Sequence, residues 1–271
     1  MSISADDFQI VQKFLLENSG ISLAPGKEYL VEGRLQPLVY SEGFDDIHVL
    51  VVALNKNSES DLGKKVIEAL TTNETSFFRD KHPFETLKTA IIPELLKKTQ
   101  ANKKIQIWSA ASSSGQEPYS LCMLLRELGD VLAGWRVEII GTDLSSDILT
   151  KAESGVYTQF EVQRGLPITM LVKSFKQDGD QWIIDSSIRS MVQYRQFNLL
   201  DSMASLGEFD MVFCRNVLIY FDNPTKGKVL EQMNTIMRPH AYLFLGGAET
   251  VIGITDKFKP VIGHRGIYEL S

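Results

Sequence analysis

The sequence predicts an α/β protein in which a doubly wound, mostly parallel sheet follows a small all-helical unit. Three observations predict it. Up to about residue 72, apolar residues recur at helical spacing only. From about residue 84, strand-like apolar runs alternate with helical ones, the mark of βαβ units. The last two strand-like runs, Phe258–Val261 and Gly266–Leu270, are joined only by Ile262–Arg265. So short a connection cannot make a parallel crossover, so the final strand is expected to run antiparallel.

The elements follow in order. Phe8, Val11 and Leu15 form a first apolar stripe. Val31, Leu35 and Leu38 form a second, which Pro37 is expected to bend. Ile47, Leu50, Val51 and Leu54 form a third, and Leu62, Val66 and Leu70 a fourth. Gly20, Pro25–Gly26, Gly43 and Asn55–Asn57 separate them, which gives a four-helix unit over residues 1–72. Residues 73–83 read as a linker. The stretch Thr71-Thr72-Asn73-Glu74-Thr75-Ser76-Phe77-Phe78-Arg79-Asp80 fits neither period, and Asp80 is placed to cap a helix with Pro83 in its first turn.

Residues 84–271 hold the α/β pattern. Helix Phe84–Lys98 leads to strand Lys104–Trp108, loop Ser109–Glu117 and helix Pro118–Leu128. Strand Arg136–Thr142 ends in Asp143, and helix Ser146–Ser154 follows. A less regular segment runs to about Ser190. Then come strands Met191–Asn198 and Phe209–Cys214, helix Pro224–Met237, strand Ala241–Leu245 and the closing pair.

Composition narrows the function. The 271 residues are 44% hydrophobic and 23% charged, which excludes a disordered or collagen-like chain. Lys and Arg total 28 against 34 Asp and Glu, a net charge of −6, so the global basic field expected of a nucleic-acid binder is absent. Cys122 and Cys214 are too few and too far apart for a disulfide framework. His48, His82, His240 and His264 have no partner at ligand spacing, so no metal is expected. The start MSISADDFQI is acidic where a secretory signal would be basic and then apolar. Apolar stretches such as Val49–Leu54 fall far short of the roughly 20 residues of a membrane span. The expectation is a reduced, soluble, cytoplasmic protein that does not insert in a membrane.

Four stretches carry candidate chemistry. In the first, strand Ile105-Gln106-Ile107-Trp108 runs into Ser109-Ala110-Ala111-Ser112-Ser113-Ser114-Gly115-Gln116-Glu117 and then a helix. Small residues let a ligand approach the backbone, and a helix start offers free N–H groups. The GxGxxG phosphate fingerprint is absent, which disfavours a dehydrogenase. Glu117 repels pyrophosphate but attracts an ammonium or sulfonium; a plain strand-to-helix turn reads equally well. In the second, Gly141-Thr142-Asp143-Leu144-Ser145 places an acid at a strand tip, the arrangement that binds ribose hydroxyls in nucleoside-binding α/β folds. In the third, a buried strand ends in Arg215-Asn216, and Tyr220 follows. All three face the carboxyl edge of the sheet, where ligands bind in open α/β folds. The fourth is Asn73-Glu74-Thr75-Ser76-Phe77-Phe78-Arg79, in which adjacent aromatics either dock one domain on the other or border a site.

The blocks TTNETSFFRD, IWSAASSSGQEPYSL, GTDLS and FCRNVLIYFD, in that order, resemble the CheR family. Its members are S-adenosylmethionine-dependent methyltransferases that esterify glutamates on bacterial chemoreceptors. The similarity extends nearly end to end. It implies a seven-stranded methyltransferase sheet, a small β-subdomain at 158–193, and an N-terminal receptor-recognition domain at 1–72. It implies S-adenosylmethionine as cofactor and S-adenosylhomocysteine as product. Asn73, Thr75 and Arg79 match linker positions that touch the cofactor, and Glu117 matches the acid beside its methionine amino end. Asp143 matches the ribose acid, Asn198-Leu199 the positions beside adenine, and Arg215-Asn216 a last contacting pair. Arg79 and Tyr220 match the residues proposed to sit near the methyl group and the incoming carboxylate, so they are the catalytic candidates.

The implied partner is the cytoplasmic helical domain of chemoreceptors. Two departures qualify this. Enteric members carry an Arg-rich second helix, whereas Lys27–Tyr40 has only Lys27 and Arg34, together with Glu28 and Glu32. The hairpin around Lys176–Gln181 looks shorter than in members that grip a receptor C-terminal pentapeptide, so strong binding of such a tether is not expected. A methyltransferase for another acceptor, and a cofactor-sensing module without catalysis, remain as alternatives.

Overall fold

A computed structural model describes residues 3–58 and 60–271. The chain forms two compact units: residues up to Thr72 with Tyr220–Lys226, and Asn73–Ile219 with Gly227–Ser271.

The first unit holds helices α1 (Ala5–Ser19), α2 (Glu28–Ser41), α3 (Ile47–Lys56) and α4 (Asp61–Leu70). Their starts are fixed by side-chain caps that satisfy otherwise orphaned N–H groups. Asp7 N donates to Ser4 Oγ, Val49 N to Asp46 Oδ1 and Gly63 N to Ser60 Oγ. The apolar stripes meet in one core around Val11, Leu15, Val31, Leu35, Leu50 and Val66. Helix α2 runs through Pro37 without a break. Arg34 on α2 closes the end of α4: Nη1 donates to Leu70 O (2.7 Å) and Thr71 O (3.1 Å), and Nη2 to Thr72 Oγ1 (3.0 Å). A cation there also complements the negative end of the helix dipole. Tyr220–Lys226 belongs to this unit, where Ser22 N donates to Tyr220 O (2.8 Å) and Ile21 bridges Phe221.

The second unit begins with α5 (His82–Thr86), which passes through a π turn, Leu87–Ile91, into α6 (Ile92–Lys98). Then follow β1 (Lys104–Ala110), α7 (Gln116–Glu127), β2 (Arg136–Asp143) and α8 (Ser146–Ser154). Next come β3 (Val156–Thr158), α9 (Gln159–Gln163), α10 (Ile168–Ser174), β4 (Phe175–Asp178), β5 (Gln181–Ile184) and α11 (Ser186–Arg189). The chain closes with β6 (Val192–Gln196), β7 (Phe209–Cys214), α12 (Asn223–Thr235), β8 (Met237–Leu245), β9 (Phe258–Pro260) and β10 (Ile267–Leu270).

Among the described residues the larger sheet has seven strands in the order β6-β2-β1-β7-β8-β10-β9. Strands β6, β2, β1, β7 and β8 run parallel, and β10 is antiparallel to both β8 and β9. The reversed final strand is the one its short connection requires. Strand order reverses between β1 and β7, which makes the switch point where ligands bind beyond the strand ends. The separate sheet, β3-β5-β4, is antiparallel, and Gly179 (φ +58°) in the turn between β4 and β5 supplies a left-handed residue.

Several boundaries differ from the sequence reading; strand β6 ends at Gln196, so Asn198 lies past the strand rather than at its end, and three other differences have identifiable reasons. Strand β1 extends to Ala110 because Ser109 and Ala110 still pair with β2 and β7. Helix α7 starts at Gln116, with Pro118 inside its first turn where a missing N–H costs nothing. Strand β8 starts at Met237 rather than Ala241. Its polar opening does not look like a strand, but Arg238 and His240 are drawn to buried Asp210.

Candidate active site

The loop after β1 sets the site. Ala111 (φ +53°), Ser113 (φ +50°) and Gly115 (φ +90°) all adopt left-handed backbone, which turns the chain sharply and leaves main chain facing the strand ends. Each non-glycine residue there costs about 1–2 kcal/mol, strain of the kind that clusters at functional sites. Asn216 (φ +61°), just after β7, is a third such residue. Gly115 is needed on space as well: a Cβ there would lie 2.6 Å from the Tyr194 hydroxyl.

Asp143 ends β2 and is buried. Its Oδ2 accepts from Ser113 N (2.8 Å) and its Oδ1 from Ser145 N (3.1 Å). Burial pushes its carboxyl above the usual range, against the pull of these N–H groups and that of Leu144. Beside it, Phe197 N donates to Asp143 O (2.9 Å) and Gln196 Nε2 to Leu144 O (2.9 Å). These bonds bring the segment after β6 to the same strand tip. There Asn198 Oδ1 accepts from Leu200 N (3.1 Å), and Leu199 is buried.

Glu117, in the first turn of α7, is tied on both oxygens. Oε1 accepts from Ser109 Oγ (2.8 Å) and Oε2 from Arg215 Nη1 (2.9 Å). The Arg215 side chain is only 1% exposed, so burying its charge demands partners. Nη2 supplies two more bonds, to Asp80 Oδ2 (2.7 Å) and Arg79 O (2.9 Å), and the guanidinium lies over the Phe84 ring. Asp80 therefore does not cap α5. Lys81 takes the cap position without a side-chain bond, and the Asp80 carboxylate goes to Arg215 instead.

The linker is sewn to the same loop. Ser113 Oγ donates to Asn73 O (2.8 Å), and Phe78 N donates to Ser120 Oγ (2.9 Å). Phe77 and Phe78 are buried in the core of this unit, which accounts for the paired aromatics. Arg79 Nη1 donates to Glu74 O (3.1 Å), and Thr75 is half-buried. Arg164 on the segment after α9 holds the Glu74 carboxyl below the usual range, with Arg79 adding to the effect.

The second unit thus gathers Asn73, Arg79, Glu117, Asp143, Asn198, Leu199, Arg215 and Asn216 along the carboxyl edge of the sheet. Tyr220 falls in the first unit. Two participants were missed from sequence: Asp80, read there as a helix cap, and Glu249, whose carboxylate accepts from the main chain of Asn216 and Val217. Among the described residues, no cluster of three or more His, Cys, Asp or Glu is arranged to hold a metal ion. No helix there is long and apolar enough to cross a membrane.

Comparison with known sequences gives the class. The pattern described as CheR methyltransferase, SAM binding domain, matches residues 73–267, and the one described as CheR methyltransferase, all-alpha domain, matches residues 6–71. Residues 73–267 are therefore an S-adenosylmethionine-binding methyltransferase domain. Chemotaxis protein methyltransferase 1 of Pseudomonas aeruginosa is 43% identical over 273 residues, covering 98% of each chain. Cher2 of Pseudomonas putida is 41% identical at the same coverage. Chemotaxis protein methyltransferase 1 of Vibrio cholerae is 39% identical, covering 100% of this chain and 99% of its own. The chain belongs to the CheR family of chemotaxis protein methyltransferases.

The residues fit the cofactor. Ser112 Oγ is buried and has no partner among the described residues, as is Arg215 Nε. Such orphans call for a ligand or water. Asp143 accepts from Ser113 N on Oδ2 and Ser145 N on Oδ1, with Leu144 N adding its pull, and a carboxylate has about four acceptor positions, so capacity remains for a ribose hydroxyl.

Proposed function

We propose that this protein methylates glutamate side chains on chemoreceptors, giving glutamate methyl esters. The bound cofactor supplies the activated electrophile, a methyl group on a sulfonium. Asp143 accepts the ribose hydroxyls, and Asn198 and Leu199 border the base. Glu117 faces the methionine ammonium, with its charge shared with Arg215. Asn73, Thr75 and Asn216 complete the cofactor contacts.

A glutamate substrate is already ionised at pH 7, with an ordinary pKa of about 4.3, so no general base is needed. What the chain must provide is alignment and partial removal of water. Arg79 is the residue for holding the substrate carboxylate, because a guanidinium offers several N–H donors in a fixed plane. It serves on the non-attacking oxygen, so the attacking lone pair stays available. Tyr220 is a catalytic candidate by resemblance alone.

The single observation that supports this reading most is the bridge from Glu117 through Arg215 to Asp80 and Arg79 O. It couples the loop that would hold the cofactor to the segment that would hold the substrate.

Receptor recognition belongs, on this reading, to residues 1–72. Arg34 is engaged within that unit, so α2 offers Tyr29, Gly33, Pro37 and Tyr40 on its exposed face rather than a row of arginines. The short β4–β5 hairpin is read as unable to hold a receptor pentapeptide strongly; micromolar binding in calorimetry would overturn that.

The test is incubation with labelled S-adenosylmethionine and chemoreceptor-bearing membranes. Base-labile methyl esters are expected, and base-stable label or none would refute the reading. Arg79→Ala is expected to lower kcat by about 100-fold or more while S-adenosylhomocysteine still binds. Near-normal turnover would remove Arg79 from its role.

A further inference from the structure

Past β8 the chain turns at Gly246, and Glu249 folds back beneath the end of β7. Its buried carboxylate collects four main-chain N–H groups. Oε2 accepts from Gly246 (2.6 Å) and Asn216 (2.8 Å), and Oε1 from Val217 (3.0 Å) and Ile219 (3.2 Å). Three of these donors lie in the segment directly after Arg215. N–H groups in a turn containing a left-handed residue converge into an anion receptor. The chain fills this one with its own acid. The packing is close: a Cβ on Gly246 would lie 2.7 Å from both Asn216 Nδ2 and Glu249 Oε2.

We propose that Glu249 is a positioning residue for cofactor binding. It holds Asn216 in its left-handed conformation and, one residue upstream, fixes the point from which the Arg215 guanidinium reaches Glu117 and Asp80. Glu249 touches no cofactor atom itself and acts through Asn216 and Arg215. The proposal rests on reading the carboxyl edge of the sheet as the S-adenosylmethionine site.

Glu249→Gln keeps the size but converts one oxygen into a donor that faces two N–H groups. Gly246→Ala keeps the charge and pushes the same pair apart from the other side. In calorimetry of the full chain with S-adenosylhomocysteine, each variant is expected to raise Kd about tenfold with wild-type stoichiometry. The KM for S-adenosylmethionine should rise in step, while the KM for receptor-bearing membranes stays put.

A merely structural role predicts a different pattern: fewer binding sites at wild-type Kd. That pattern in both variants would overturn the proposal. If Glu249→Gln does not fold, Gly246→Ala decides alone. A wild-type protein that fails to bind S-adenosylhomocysteine would overturn the reading of the site, and this proposal with it.

Discussion

The two ends of the parallel sheet both bury carboxylates, but they treat them differently. At the amino end, Asp210 is fully buried and fully matched. Its Oδ2 accepts from Gln106 N (2.7 Å) and Arg238 Nη1 (2.7 Å), and His240 Nε2 lies 2.9 Å from Oδ1. Gln106 in turn binds both Arg238 and Glu138, so the network closes on itself. At the carboxyl end, Asp143 and Glu117 sit among left-handed residues, and Ser112 Oγ and Arg215 Nε are left without partners among the described residues. One end ties the strands together. The other keeps strain and unmatched polar atoms, as expected of a surface completed by a ligand. Burial of charge is thus no guide to function on its own; the unmatched polar atoms beside it are.

The contrast can be broken by exchanging its consequences. The largest effect is expected from Asp143→Ala. Losing two charge-assisted bonds to ribose, at about 1.5–3 kcal/mol each, should weaken S-adenosylhomocysteine binding by about 100-fold or more in calorimetry. Some stability should be lost as well, because Ser113 N and Ser145 N lose their acceptor, but the folded fraction still reports the loss of affinity. An unchanged Kd would make the two ends alike.

Asp210→Ala should do the reverse. Removing a buried acid that two partly exposed basic side chains and a main-chain N–H share should cost about 2–4 kcal/mol in urea unfolding. The folded fraction should bind S-adenosylhomocysteine as the wild type does. A loss of affinity without a loss of stability would show that the amino end serves the site.

The smallest and most specific effect is in pH. Because burial raises the Asp143 pKa, the native state takes up a proton at higher pH than the unfolded chain does. Between the unfolded and the raised native value the native state binds more protons. The contribution of Asp143 to stability therefore falls as pH rises through that window. Affinity runs the other way: protonation removes an acceptor, so S-adenosylhomocysteine binding should weaken as pH drops through the raised value, by at most about tenfold per unit. Asp143→Asn should flatten both dependences, and a wild-type profile that stays flat down to the ordinary carboxylate range would discount the burial.

Much of the fold was legible because local pattern and tertiary structure agree. Phe209–Cys214 is apolar but for Asp210 and becomes a wholly buried central strand, and the short connection between the last strands dictated their reversal. Asp143 was legible because a strand tip followed by a serine cap is a local signal. What stayed hidden depends on partners far away in sequence. Asp80 looks like a helix cap until Arg215 claims it 135 residues later. Glu249 lies in Gly246-Gly247-Ala248-Glu249-Thr250, where no period or motif marks it, and its meaning comes from N–H groups about 30 residues upstream. Met237 reads as the end of a helix and Arg238–His240 as a connection, because only Asp210 makes those polar residues belong in a strand.

The most direct measurement is a crystal structure of the protein grown with S-adenosylhomocysteine. The expected result has the ribose hydroxyls on Asp143, the amino end of the ligand facing Glu117, and Ser112 Oγ or Arg215 Nε newly paired. A nucleoside bound anywhere but the carboxyl edge of the sheet, or none bound with both acids as they stand here, would contradict it.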